Sequence, residues 1–71
     1  MSQQQQLDFR VRSHGSIWTF EPLTRGAKDF TATAIEVQSW QWLGPAFGVD
    51  QRVANDLAMA LEEEGFVLES E

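Results

Sequence analysis

The sequence has no cysteine and a single histidine among its 71 residues. Without cysteine the chain can form neither a disulfide nor a thiolate metal site, and a secreted protein this small usually carries disulfide bridges. The chain does not begin with the basic and then apolar residues of a secretory signal. No apolar run approaches the roughly 20 residues needed to cross a bilayer. We therefore expect a cytoplasmic protein without a membrane segment.

The patterns of known catalytic and cofactor sites are missing as well. His14 lies beside Gly15 in a predicted turn, where a solvated loop residue is the ordinary interpretation, and no serine near it in sequence suggests a nucleophile pair. Nucleophile-elbow, P-loop, dinucleotide-binding, zinc-protease and EF-hand motifs do not occur. We therefore expect a non-enzymatic protein with no cofactor and no metal.

Positive charge is scarce, and it is confined mainly to the first part of the chain. The formal net charge is −6, and residues 29–71 contain nine acidic residues and one basic residue. Proteins that bind nucleic acid use cationic patches that displace phosphate counterions. An acidic chain repels nucleic acid and attracts basic protein surfaces. The expected partner is therefore a basic protein surface rather than nucleic acid itself.

The longest periodic segment, residues 50–65, predicts an amphipathic helix. Asp50 is the expected N-cap, and Gly65 suits the left-handed position after the last turn, from which Phe66 reaches back onto Leu61. The predicted apolar stripe comprises Val53, Leu57 and Leu61 with Ala54, Ala58 and Ala60 beside them. The segment is therefore expected to pack one face on the rest of the domain.

The remaining elements follow from alternation and turn signals. Strands are predicted over residues 7–12, 17–21, 37–43, 46–49 and 66–68, with a turn at 13–16 and a helix over about 24–35. Thr24 is the expected N-cap of that helix, with Ala27, Phe30 and Ala34 on its buried side. The order (β)βαββα(β) predicts an α+β fold, a small, mostly antiparallel sheet with two helices packed on it. We expect one domain over residues 7–71, preceded by a disordered segment, residues 1–6.

The predicted strand 37–43 places Trp40 and Trp42 on one face. They form the core face of a hairpin together with Phe47, or else one of Trp18, Trp40 and Trp42 is a partly exposed anchor for a partner, because tryptophan is enriched at binding hot spots. Pro45 rules out a type I′ turn at Gly44–Pro45 and leaves a type II′ turn or a wider loop.

Three consecutive acids, Glu62, Glu63 and Glu64, lie at the C-terminus of the predicted helix. The helix dipole already presents partial negative charge there, so acidic side chains are disfavoured. The run is either a solvated face that supplies solubility or a negative surface that occupies a site meant for phosphates.

Several short segments resemble small proteins encoded by bacteriophages and integrated elements. The similarity lies in HGSI (residues 14–17), EPLT (21–24), WLG (42–44) and the helix through Asp56 and Leu57, and it extends over about residues 14–68. These are turn and core residues, so the resemblance implies no catalytic residue. It implies an inhibitor of host defence, of the anti-restriction or anti-CRISPR type, some of which mimic DNA.

The leading hypothesis is a non-enzymatic inhibitor that binds a basic protein surface such as the nucleic-acid-binding channel of a host complex. Its expected partner-binding residues are Asp56, Glu62, Glu63, Glu64, Glu69, Glu71, Trp40 and Trp42. The alternative is a structural module of a larger assembly that associates with itself through an aromatic face. The expected oligomeric state is a monomer or a weak homodimer.

Overall fold

A computed structural model describes residues 7–35 and 37–70 of the chain. The predicted disordered segment 1–6 lies outside the described residues, as do Glu36 and Glu71. The elements are β1 (Phe9–His14), β2 (Ile17–Pro22), α1 (Arg25–Ala34), a 3-10 turn (Ser39–Gln41), β3 (Trp42–Leu43), β4 (Ala46–Asp50), α2 (Gln51–Glu63) and β5 (Leu68–Ser70).

The strands form one sheet in the order β3-β4-β2-β1-β5. All neighbours are antiparallel except β5, which runs parallel to β1. The predicted α+β class and element order are confirmed. Two-residue loops join β1 to β2 and β3 to β4, with Gly15 and Gly44 first in each loop at φ 75° and 68°. A positive φ at this position is what a type II′ hairpin turn requires, so Pro45 is accommodated as the second loop residue.

The hydrophobic core lies on one face of the sheet, and both helices pack on that face. Phe9, Phe20 and Phe47 project there from three adjacent strands and are fully buried together with Leu61 of α2. Phe20 and Phe47 stack with ring centroids 5.7 Å apart. Burying each such side chain contributes roughly 1.5–3 kcal/mol, which is how a chain of this length maintains a core without disulfides.

Helix α1 begins as predicted, but its buried face differs at one position. The Thr24 hydroxyl caps the helix by accepting from the Ala27 amide at 3.1 Å. Ala27 is buried as expected and Phe30 is partly buried, whereas Ala34 is exposed and Thr31 is buried instead. The Thr31 hydroxyl donates to the Ala27 carbonyl at 2.8 Å, so this polar group is satisfied inside the core.

Both predicted ends of α2 are confirmed. The Asp50 carboxylate accepts from the Arg52 amide at 2.8 Å. After the last turn Gly65 has φ 95°. Its amide donates to the Glu62 backbone carbonyl at 3.0 Å, and the Phe66 amide donates to the Leu61 backbone carbonyl at 3.1 Å. This pair of bonds is a Schellman motif, which satisfies the last helical carbonyls and turns the chain back toward the sheet.

The buried stripe of α2 is rotated from the predicted one. Ala54 and Leu61 are buried, while Val53 is 53% exposed and Ala60 is exposed. Leu57 and Ala58 are partly buried against the core. The stripe therefore consists of Ala54, Leu57, Ala58 and Leu61, and Val53 and Ala60 lie beside it.

The predicted strand 37–43 is wrong except for its last two residues. Gln38 and Gln41 close a tight turn instead: the Gln41 amide donates to the Gln38 carbonyl at 2.9 Å, and the Gln38 amide donates to the Gln41 side-chain oxygen at 2.9 Å. The Gln41 side-chain amide also donates to the Gly48 carbonyl of β4 at 3.1 Å. A glutamine side chain thus replaces the ladder bond that a longer β3 would have made.

The last strand lies two residues later than predicted, because Phe66 is used to end α2. Its ring packs against Phe9 and Phe30 with centroid distances of 5.5 and 5.1 Å. Asp8 then holds the returning chain, since one carboxylate oxygen accepts from the Val67 amide at 2.9 Å and the other accepts from the Thr24 hydroxyl at 2.7 Å. One carboxylate thereby joins the start of α1 to the entry of β5.

Candidate protein-binding surface

Four of the acidic residues singled out in the sequence lie on the solvent side of α2. Asp56 is on the helix face that points away from the sheet, and Glu62, Glu63 and Glu64 occupy the last turn and the C-cap. All four are exposed. None of them forms an ion pair with a basic group of the described residues. Together they define the acidic helix patch.

The other two acids do not join this patch in the structure. Glu69 lies on β5, paired with Arg10 of β1, and projects from the sheet face opposite the helices, where its carboxylate is 4.0 Å from the Arg10 guanidinium. Glu71 lies outside the described residues. An exposed ion pair at this distance contributes little, but it partly neutralises Glu69.

The three tryptophans differ in position and in exposure. Trp42 is on the helix side of the sheet, 37% exposed, with its ring edge-on to Phe47 at 5.4 Å. Trp40 is in the 3-10 turn and is 78% exposed. Trp18 is partly buried on the helix side. The 3-10 turn separates Trp40 from Trp42, so the two indoles do not share one strand face as predicted.

The acidic helix patch is therefore not contiguous with Trp40 and Trp42. Trp42 lies on β3 at one edge of the sheet, and α2 ends beside β5 at the other edge. Glu69 is also on the far edge from Trp42. The structure brings together Asp56 and the three glutamates of the helix end, and it leaves Trp40 and Trp42 apart from them.

The sheet face opposite the helices, here called the open face, carries a second group of charged and polar side chains. The register pairs Arg10 with Glu21, Arg12 with Thr19, and His14 with Ile17 across β1 and β2. Arg10 also lies 3.9 Å from Glu21. The strand alternation of residues 7–12 predicts that Arg10 and Arg12 face away from the core, as they do here.

Beside these charges the open face contains an apolar patch made of Ile17, Trp40 and Leu43 around Gly48. Ile17 is 43% and Leu43 59% exposed. The three side chains border a depression of about 390 Å³ whose lining includes Gly48 and Asp50. A Cβ built on Gly48 would lie 3.3 Å from Ile17 Cγ2 and 3.5 Å from Leu43 Cδ1, so the absent side chain lets Ile17 and Leu43 approach each other.

Titratable groups in the described residues do not form a catalytic arrangement. His14 Nε2 is 3.3 Å from the Thr19 hydroxyl, which itself donates to the Arg12 carbonyl at 3.5 Å. Hydrogen bonds from the Arg52 amide and then the Arg52 side chain lower the pKa of Asp50, the cap of α2. In residues 7–35 and 37–70, no three His, Asp or Glu side chains converge as a metal site requires.

A shallow groove of about 200 Å³ lies between α2 and the β1 side of the sheet. Val11, Trp18 and Phe20 form its sheet side, and Ala54 and Ala58 form its helix side. Its lining has no ionisable side chain, so it offers apolar contact without a charge to orient a ligand.

Comparison with protein-family models, with curated proteins and with solved structures finds no match. Neither helix of the described ranges is long and apolar enough to span a membrane. The functional assignment therefore depends on the two surfaces described above.

Proposed function

We propose that this protein is a non-enzymatic inhibitor that acts in the cytoplasm by binding a basic protein surface used by nucleic acid, such as the channel of a host defence complex. The acidic helix patch is the observation that carries the proposal. Asp56, Glu62, Glu63 and Glu64 stand exposed on one helix, and no cation of the described residues pairs with them. Their field is therefore directed to solvent.

The concentration of negative charge at the end of α2 supports phosphate mimicry. At 1.5 Å per residue, Asp56 and Glu64 are separated by about 12 Å along the helix axis. Asp56 is about 9 Å from Glu62 along the axis, whereas Glu62, Glu63 and Glu64 lie within about 3 Å, which is close to the rise between two phosphates of one B-DNA strand. A channel lined with lysine and arginine would meet dense negative charge at the helix end.

The position of the acids favours a role outside folding. Each acid at a helix C-terminus costs roughly 0.3–1 kcal/mol when exposed, and no described neighbour offsets that cost. Solubility remains the competing explanation, but acids elsewhere on the surface would supply it without opposing the dipole. The resemblance to small proteins of phages and integrated elements also favours an inhibitor.

The test compares two variants of equal charge. The first carries Glu62→Gln, Glu63→Gln and Glu64→Gln; the control carries Glu21→Gln and Asp29→Lys, which change the net charge by the same three units. Each variant and the parent are immobilised, and nucleic-acid-binding proteins of the host lysate are captured, eluted with salt and tested for competition by DNA.

We expect the helix variant to lose capture, while the control retains most of it, because position rather than net charge matters. DNA should compete with the parent, and its capture should weaken with salt. Full capture by a folded helix variant would leave the acidic run with a role in solubility only.

A further inference from the structure

We propose that the open face of the sheet is the interface of a homodimer, with the apolar patch of Ile17, Trp40 and Leu43 packed against the same patch of a second copy. This inference is independent of the inhibitor proposal, because the acidic helix patch lies on the other side of the sheet. An antiparallel sheet that faces water normally presents polar side chains. Here one half of the open face presents an indole and two aliphatic side chains instead.

Charge favours a second copy on this face over any other face of the molecule. Arg10 and Arg12 offset Glu21 and Glu69 on the open face, and Asp50 at its corner is paired with Arg52 at 3.3 Å. The surplus negative charge of α2 lies on the helix side of the sheet. Two copies of an acidic protein repel each other, and open-face contact keeps their acidic helix patches farthest apart.

The shape of the patch suits an isologous contact, in which the same surface is used by both copies. Trp40 stands 78% exposed beside the depression that Ile17 and Leu43 border. A two-fold axis near Gly48 brings each Trp40 toward the depression of the other copy. Tryptophan in such a pocket is a frequent binding hot spot.

The size of the face predicts a weak dimer. Five strands about 4.8 Å apart, with up to six residues at about 3.4 Å each, cover roughly 20 by 20 Å. Two copies would therefore bury about 800 Å² in total, below the roughly 1,200–2,000 Å² of stable interfaces and in the range of weak and transient complexes. Association should therefore depend on concentration.

Sedimentation velocity of the full chain from about 10 μM to about 1 mM tests the proposal. We expect the mean mass to rise toward that of a dimer, and to change little between low and high salt because the contact is mainly apolar. The double variant Trp40→Ala, Ile17→Thr should weaken association by about tenfold or more. Threonine retains the β-branched shape that suits a strand.

The matched control removes apolar side chains of similar exposure from α2, as Val53→Thr and Met59→Gln. It should dimerise like the parent, as should the triple glutamine variant of the helix end. A parent that remains monomeric at about 1 mM, or a folded open-face variant that dimerises like the parent, would overturn the proposal. Loss of the dimer in the triple glutamine variant would do the same.

If circular dichroism shows that the open-face variant is unfolded, NMR of the parent alone tests the dimer. A paramagnetic cosolute in NMR should relax the Ile17 methyl groups and the Gln41 side-chain amide strongly in dilute samples and weakly in concentrated ones. Equal relaxation at both concentrations would refute the dimer.

Discussion

Replacing Leu61 by alanine is the most direct test of how α2 packs on the sheet. Leu61 is fully buried among Phe9, Phe20 and Phe47, so its truncation leaves a cavity in the only core cluster that the described residues form. A fully buried Leu→Ala change costs about 3–5 kcal/mol. A chain of this length has roughly 4–11 kcal/mol of stability in total. Leu61→Ala should therefore remove a large fraction of it.

The assay is thermal unfolding followed by circular dichroism, with Leu57→Ala and Val53→Ala measured beside Leu61→Ala. We expect the melting temperature to fall by at least ~12 °C for Leu61→Ala, by less for the partly buried Leu57, and hardly at all for Val53. Val53 is 53% exposed, and alanine is the better helix former. A loss for Val53→Ala equal to that for Leu61→Ala would refute the rotated stripe and restore the stripe predicted from sequence.

Two further predictions concern carboxylates that hold the ends of the helices. Asp8→Ala should destabilise the fold by about 1–3 kcal/mol in urea unfolding, because it removes the acceptor of both the Thr24 hydroxyl and the Val67 amide; Asp56→Ala is the control and should have almost no effect. For Asp50 the lowered pKa means that its ionised form stabilises the native state above the ordinary value of 3.8 and that this contribution is lost as pH falls below it. Any stability advantage of the parent over Asp50→Asn at neutral pH should therefore disappear in acid, and an advantage that grew with acidity would contradict the assignment.

The sequence was sufficient where a feature depends on local backbone chemistry. Asp50 and Thr24 cap helices because their side chains accept from amides two or three residues later. Gly65 ends α2 because it can take a positive φ. Each of these requires only a few neighbouring residues, so the element order and the α+β class followed from them.

The sequence was insufficient where a distant partner decides. Alternation of Trp40, Gln41 and Trp42 suggested a strand, but Gln41 donates to Gly48 seven residues later and closes a turn with Gln38. The Gln41 side chain thus gives the Gly48 carbonyl of β4 a hydrogen-bond donor without a neighbouring strand. Two-residue spacing assigns side chains to one face only when the backbone is extended. Trp40 and Trp42 therefore do not share a face, contrary to the prediction.

The candidate site was predictable in part for the same reason. Three consecutive glutamates before a helix-ending glycine are exposed in almost any packing, and they are exposed here. Grouping them with Glu69 and the tryptophans required the strand order, which no local signal contains. Likewise, the rotation of α2 about its axis depends on where Phe66 returns to the sheet. Because Val53 and Ala54 are both apolar, the sequence is compatible with two different buried stripes.

The acidic helix patch and the open face are separated by the sheet, and this separation allows each surface to work without the other. In a face-to-face dimer the two helices of each copy lie on the outer sides, so both acidic patches stay accessible to a basic partner. Contact through the helix side would instead bring eight carboxylates together, since Asp56, Glu62, Glu63 and Glu64 occur once in each copy. Like charges at such distances repel, and burial would strengthen the repulsion.

A dimer through the open face would thus present two acidic patches pointing in opposite directions. A partner with two basic sites could engage both and gain avidity, whereas a partner with one site would gain nothing from the second copy.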